Sequence, residues 1–174
     1  MENVRVINVM RLMYVPEGLD LEDLHRRLGG KLYRGRPEML LLRLNNNRNV
    51  QLFRRGTIQI LGPLRQTEAE DMRREILQYL QTTVASPLVI SNMVISARLK
   101  TPPCLQMISE SNANHAYEIE LFPAALIRKW SPAHVAVFHN GKVILTGVKT
   151  VDACKEIFSL LPSYLRELCC GNEC

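Results

Sequence analysis

The sequence predicts an α+β fold made of two copies of one unit, with antiparallel strands in a sheet and helices on one of its faces. Three observations carry this prediction. The chain repeats itself at an offset of 85 residues. Each copy holds short strand-like runs joined by glycine turns. Each copy closes on a longer helix-like segment with an apolar stripe.

The repeat is clearest between positions 41–80 and 126–165. Eight positions are identical: Leu41/Leu126, Arg43/Arg128, Val50/Val135, Phe53/Phe138, Gly56/Gly141, Gly62/Gly147, Tyr79/Tyr164 and Leu80/Leu165. Leu42/Ile127, Leu52/Val137, Ile58/Val143 and Ile76/Leu161 add conservative pairs. Asn8 meets Asn92 at an offset of 84. Repeat 1 is therefore placed at residues 1–84 and repeat 2 at 85–170, leaving 171–174 as a cysteine-containing tail.

Each copy opens on a strand, Val4–Met10 or Val89–Ile95. In the first copy a helix follows at Leu19–Leu28, with Leu21, Leu24 and Leu28 at helical spacing and Gly29-Gly30 as a stop. Pro102-Pro103 makes the matching helix of the second copy late or short. Three strand-like runs come next: Met39–Leu44, Val50–Phe53 and Thr57–Leu61, matched by Ala125–Lys129, Val135–Phe138 and Lys142–Thr146. The turns Arg54-Arg55-Gly56 and His139-Asn140-Gly141 join the last two runs of each copy as a hairpin. Thr67, with Glu70 three residues on, reads as a capping box for the closing helix of copy one, whose stripe is Met72, Ile76, Leu77 and Leu80. The closing helix of copy two spans about Asp152–Leu168. Thr82–Pro87 reads as the linker. Hairpin-joined strands with helices on one side leave the other face free. Duplicated halves suit a two-fold-symmetric partner such as duplex DNA.

Composition agrees with a folded domain, at 47% hydrophobic and 22% charged residues. No run approaches the ~20 apolar residues of a membrane helix, and Met1–Met10 has no apolar signal core, so a soluble intracellular protein is expected. Net charge is +5 and uneven: residues 1–87 hold 14 Lys/Arg against 10 Asp/Glu, residues 88–174 hold 8 against 7. That balance permits a polyanionic partner. The five cysteines, Cys104, Cys154, Cys169, Cys170 and Cys174, form no CxxC pair and read as free thiols, so no metal and no cofactor is expected. The histidines at 25, 115, 134 and 139 have no catalytic spacing to Cys or carboxylates. There is no P-loop, GxGxxG or Ser-His-Asp order, and the chain does not read as an enzyme.

Glu120-Leu121-Phe122-Pro123 and Gly141-Lys142-Val143-Ile144-Leu145-Thr146-Gly147 are similar to ELFPGL and GKVVLTGAK, motifs of the second repeat of the TATA-binding-protein core family. Ser91-Asn92-Met93-Val94 resembles that family's QNMV strand. The likeness runs from about Val4 to Leu168 and is more specific in repeat 2 than in repeat 1. It implies one curved, saddle-shaped antiparallel sheet with helices on the convex face. It implies a divergent transcription initiation factor, nuclear or in a viral transcription compartment. Such a protein binds A·T-rich double-stranded DNA in the minor groove as a monomer and recruits a B-type general factor and RNA polymerase.

The resemblance also implies residue roles. Phe122 and Phe138 match one pair of DNA-inserting wedges. Phe53 matches a wedge of repeat 1, and its partner falls on Pro37 or on Met39. Asn8 and Asn92 match the asparagines at the groove centre. Val94, Ile144 and Thr146 match the apolar or hydroxyl positions beside them, with Met10, Gln59 and Leu61 at the equivalent sites of repeat 1. Arg43, Arg128 and Lys142 match flanking basic positions. Glu118, Glu120 and Leu121 match a stirrup-like docking loop, with Ile119 where the family has Pro. Read without the resemblance, Phe53 and Phe138 end apolar strands and read as core residues more readily than as wedges. The asparagines sit inside strands, where Asn is disfavoured, at equivalent positions in both copies.

Minor-groove chemistry fits these residue types. A·T pairs show acceptors there and G·C pairs add an amino group, so an apolar face with asparagine donors selects A·T. A second reading is a protein-interaction scaffold of the same fold that does not bind DNA by itself. Gln59, Leu61 and the missing aromatic wedge favour it.

Overall fold

The computed structural model describes residues 1–45, 47–62, 65–110 and 115–169. The expected tail at 171–174 lies outside the described residues, as does Cys170. Among the described residues there are ten strands and four helices. The strands form an antiparallel sheet whose order is β2-β3-β4-β5-β1 in one half and β6-β10-β9-β8-β7 in the other. The chain divides into two compact units. One holds residues 8–91, and the other holds residues 1–7 with residues 92 onward.

In the unit of residues 8–91, β1 (Glu2–Tyr14) leads into α1 (Leu21–Leu28), then β2 (Lys31–Tyr33), β3 (Met39–Arg43), β4 (Asn49–Phe53), β5 (Thr57–Gly62) and α2 (Gln66–Leu80). Asp20 caps α1, its carboxylate accepting from the Asp23 N–H at 2.9 Å. Gly29, at φ 74°, ends that helix as its position in the sequence suggests. Alternation along the strands decides the two faces. Leu40, Leu42, Val50, Leu52, Ile58 and Ile60 point to one side and pack with Leu21 and Leu24 of α1 and Ala69, Met72 and Ile76 of α2. Met39, Leu41, Gln51, Phe53, Gln59 and Leu61 stand on the other side, half-exposed and uncovered by helix.

The second unit repeats the order with β6 (Val89–Arg98), α3 (Leu105–Glu110), β7 (His115–Ala116), β8 (Ala124–Ile127), β9 (His134–Phe138), β10 (Lys142–Val148) and α4 (Val151–Cys169). Val135, Val137, Val143 and Leu145 are fully buried on the helix side, with Ile108 of α3 and Leu161 of α4. The registers of the two copies agree. Val50 faces Ile60 and Leu52 faces Ile58, just as Val135 faces Leu145 and Val137 faces Val143.

Three expectations are corrected. Two strands, β2 and β7, were not expected. At three and two residues they are too short for alternation to register in the sequence. The opening strands are longer than Val4–Met10 and Val89–Ile95, because β1 runs on to Tyr14 to pair with β5, and β6 to Arg98 to pair with β10. Thr67 does not cap α2. The helix starts two residues earlier, at Gln66, and Arg65 is the N-cap residue. The carboxylate of Glu68 reaches back to the Arg65 N–H at 3.1 Å, so the acidic half of a capping box is built from Glu68 and not Glu70. Replacing Glu68 with Ala removes that one exposed acceptor. The expected cost is about 1 kcal/mol in a urea titration, with the slope unchanged.

Candidate nucleic-acid interface

On the second unit the uncovered face is built from the alternate residues of four strands. Ala124 lies opposite Phe138, Leu126 opposite Ala136, and Ala136 opposite Ile144. Ile144 in turn lies opposite Ser96. The face is therefore small and apolar in its middle. Val94, Ile144 and Thr146 all stand on it half-exposed.

Asn92 is fixed by a single bond. Its Oδ1 accepts from the Gly147 N–H at 2.8 Å. Gly147 has φ 84°, and a Cβ there would come within 2.5 Å of the Pro132 carbonyl oxygen, so the glycine is what allows Pro132 to lie so close to this backbone. With the amide oxygen occupied, the amide NH₂ remains, and it is a pure donor. That is the group an acceptor-lined A·T minor groove requires. Asn92→Asp keeps the acceptor for Gly147 but loses the donor and adds a negative charge. It should weaken binding to an A·T-rich duplex about tenfold, corresponding to ~1.4 kcal/mol, in an anisotropy titration. The thermal midpoint should hardly move.

At one end of the face, Phe138 closes β9. The ring of Phe122 lies over it edge-to-face, with centroids 6.0 Å apart. Phe122 is held there by a tight loop, in which the Leu121 and Phe122 N–H groups both donate to the Glu118 carbonyl at 2.9 and 2.8 Å. The ring is 43% exposed. Lys142 sits 5.7 Å from the Phe138 centroid, within cation–π range. Glu118, Glu120 and Leu121 are all exposed on this loop, Leu121 at 79%.

Two basic residues belong with this face that sequence reasoning did not select. Arg98 lies directly opposite Lys142 across the β6–β10 ladder. Arg5, Ser96, Arg98 and Lys142 line a basic cavity of about 500 Å³. Like charges placed opposite each other cost stability in an isolated sheet, so the pair suits an anion brought by a partner. The signal was present in the parity: Asn92, Val94, Ser96 and Arg98 alternate onto one face. Arg128 is exposed just past β8.

On the unit of residues 8–91 the equivalent positions are filled differently. Asn8, Met10 and Leu61 are half-buried on the uncovered face, with Met10 opposite Leu61, and Gln59 lies opposite both Leu12 and Gln51. Arg43 is exposed opposite Asn49 at the end of β3. Phe53 ends β4 half-exposed on this face and is not part of the core cluster. Its cross-strand neighbour is Met39. The pairing of Met39 with Phe53 matches that of Ala124 with Phe138, so the position Phe122 holds in the second unit is held here by exposed Pro37. Beside Phe53, Arg54 donates to Glu38 at 2.7 Å and to Glu22 at 2.8 Å. These bonds, to Glu38 first and then Glu22, raise the guanidinium's affinity for its proton still further.

None of the four histidines forms a catalytic constellation among the described residues. His115 is buried in packing. Its Nδ1 lies 2.8 Å from the Ile108 carbonyl and its Nε2 lies 3.1 Å from the Tyr164 hydroxyl. Cys154 is buried, and desolvation pushes its thiol pKa up, away from nucleophilic chemistry. No group of three His, Cys, Asp or Glu is placed to hold a metal among the described residues. Among those residues no helix is long and apolar enough to cross a membrane.

Comparison with known proteins gives this geometry a family. Residues 87–168 match the family described as transcription factor TFIID (or TATA-binding protein, TBP). The TATA-box-binding protein of Methanothermococcus thermolithotrophicus is 30% identical over 175 aligned residues, 95% of each chain. That of Methanocaldococcus jannaschii is 28% identical over 95% of this chain and 94% of its own. A solved structure, Methanococcus jannaschii TBP, superposes with a TM-score of 0.76 at 26% identity, covering 96% of this chain and 99% of that one. These relatives are archaeal and lend no support to the nuclear or viral compartment expected from the sequence. A chain aligned from end to end with these proteins and folded as the same ten-stranded sheet belongs to the TATA-binding-protein family of non-enzymatic transcription factors.

Proposed function

We propose that this protein is a transcription initiation factor that grips A·T-rich duplex DNA in the minor groove with the uncovered faces of its two units, as a monomer. Its Glu118–Leu121 loop receives a B-type general factor, which brings RNA polymerase. The observation that carries the proposal is the Phe122–Phe138 stack at the end of an apolar face. On that same face the Asn92 amide oxygen is held by the Gly147 N–H, which leaves its NH₂ group available as a donor. The family is itself the type example of wedge insertion into the minor groove. Phe122 and Phe138 supply the wedge, and Asn8 and Asn92 supply central donors. Val94, Ile144, Thr146 and Leu61 supply surface that guanine N2 would disturb. Arg43, Arg128, Lys142, Arg5 and Arg98 supply phosphate contacts.

The scaffold reading keeps one specific support. Pro37, Gln59 and Met10 replace features that a symmetric DNA grip would use. Both readings are tested by titrating the chain against end-labelled A·T-rich and G·C-rich duplexes at one fixed salt concentration, read by anisotropy and by end-to-end energy transfer. Preference for A·T with a shortened end-to-end distance is the expected outcome. Equal and unbent binding to both duplexes, or none, would remove the DNA-binding proposal in favour of the scaffold.

A further inference from the structure

The two units differ at the wedge position, and in the unit of residues 8–91 a cavity lies there. In the second unit one ring covers the other, Phe122 over Phe138. In the unit of residues 8–91 Pro37 stands where Phe122 would be. Phe53 instead lines a cavity of about 630 Å³, together with Arg36, Pro37, Arg55, Thr57 and Gln59. That volume falls inside the ~300–1,000 Å³ of sites that enclose small ligands.

Its chemistry is mixed in a particular way. Phe53 offers an aromatic surface and Pro37 an apolar one. Thr57 and Gln59 offer a hydroxyl and an amide, which can read hydrogen-bonding edges. Glu38 also lines the cavity, but its carboxylate is bonded to Arg54, which also binds Glu22. Arg54 therefore occupies both local carboxylates and offsets one of their two charges. Arg36 and Arg55 are exposed and have no ion pair among the described residues. An aromatic surface, hydrogen-bonding groups and two guanidinium groups together are complementary to a nucleotide: base, base edge and phosphate.

We infer that this cavity receives one extruded base of the bound DNA strand, so that the unit of residues 8–91 unstacks DNA by accepting a base where the second unit inserts a wedge. The inference rests on the minor-groove reading and adds to it. In the wedge arrangement a ring enters the stack. Here a base leaves the stack and packs on Phe53, with its phosphate met by Arg36 and Arg55. Base extrusion is easiest at weakly paired steps, so an A·T-rich duplex is the natural substrate.

The test is permanganate reactivity of single thymines in an end-labelled A·T-rich duplex, with affinity measured in parallel. The proteins are the unaltered chain, Phe53→Leu, the double variant Arg36→Gln/Arg55→Gln, and Phe138→Leu, each checked for native circular dichroism. Phe53→Leu keeps apolar volume and loses only the ring. One thymine at one end of the footprint should react about fivefold above the free duplex, and Phe53→Leu should return it to within about twofold of that baseline while affinity falls by about threefold or less. With every protein at a concentration that saturates the duplex, the arginine double variant should abolish the same signal, and Phe138→Leu should retain it and alter the opposite end. Tight A·T-selective binding without a Phe53-dependent thymine would overturn the inference and leave the minor-groove reading intact. A cavity that serves a protein segment would give that result. Loss of A·T preference in the unaltered chain would overturn both.

Discussion

Phe138→Ala is expected to weaken binding to an A·T-rich duplex about a hundredfold and to remove much of the bend, whereas Phe53→Ala costs about threefold or less. The asymmetry follows from how each ring is supported. Phe138 is the base of a two-ring stack, with Phe122 above it at 6.0 Å and Lys142 beside it at 5.7 Å. Unstacking a base step costs about a few kcal/mol, so a wedge works only if it arrives rigid and already ordered. Truncating Phe138 removes one blade and leaves the Phe122 ring, already 43% exposed, without its support. The two positions should therefore be coupled. A double-mutant cycle of Phe122→Ala and Phe138→Ala should return an interaction of ~0.5–1.5 kcal/mol, the pair costing that much less than the sum of the two single variants. Phe53 has no such stack, since its opposite neighbour is Met39 and the wedge position holds Pro37. Energy transfer across the duplex checks the bend, and equal losses from Phe53→Ala and Phe138→Ala would defeat the asymmetric assignment.

The same comparison shows what the sequence carried and what it did not. The repeat offset carries over into the ladders, because both strands of an antiparallel pair shift together. Val50/Ile60 and Val135/Leu145 are the proof. Face assignment was legible in part, since alternation separates Leu52 and Ile58 from Phe53 and Gln59, while a strand-end Phe53 or Phe138 also read as core. Three things were not. Strands β2 and β7 are formed by pairing with β3 and β8, and their two or three residues hold no period of their own. The start of α2 depends on which carboxylate reaches back, and both Glu68 and Glu70 stand near the turn. The choice between Pro37 and Met39 required the register of β3 against β4, which sequence spacing leaves open by two residues. Arg98 lay in plain alternation with Asn92 and was missed because a strand-end arginine looks like ordinary surface. The orientation of the Asn92 amide could not be read at all, since it depends on the position of the Gly147 N–H in space.

Gly56→Ala is expected to destabilise the fold by about 3–4 kcal/mol, against about 1–2 kcal/mol for Gly141→Ala, although both glycines close the same turn. In each unit the glycine N–H donates back to the phenylalanine carbonyl at 2.9 Å, from Gly56 to Phe53 and from Gly141 to Phe138. In each unit the glycine carbonyl accepts from the residue just beyond the opening strand, Val15 at 2.9 Å and Leu99 at 2.8 Å. Both have positive φ, 87° and 77°, where a side chain is strained. The difference lies in the space available. A Cβ on Gly56 would meet the Val15 carbonyl oxygen at 2.0 Å, a backbone atom that cannot turn away. A Cβ on Gly141 would meet the Leu99 carbonyl oxygen at 3.3 Å, a tight contact that a small shift relieves. The Gly56 variant must therefore pull β5 away from the end of β1 and put at risk the hydrogen bond that joins them there. Urea titration of both variants measures the gap, and equal costs would mean that φ alone decides. The consequence reaches the DNA face, because the turn that Gly56 closes also carries Phe53, Arg54 and Arg55. A variant that still folds should lose the Phe53-dependent thymine signal while retaining the Phe122–Phe138 wedge.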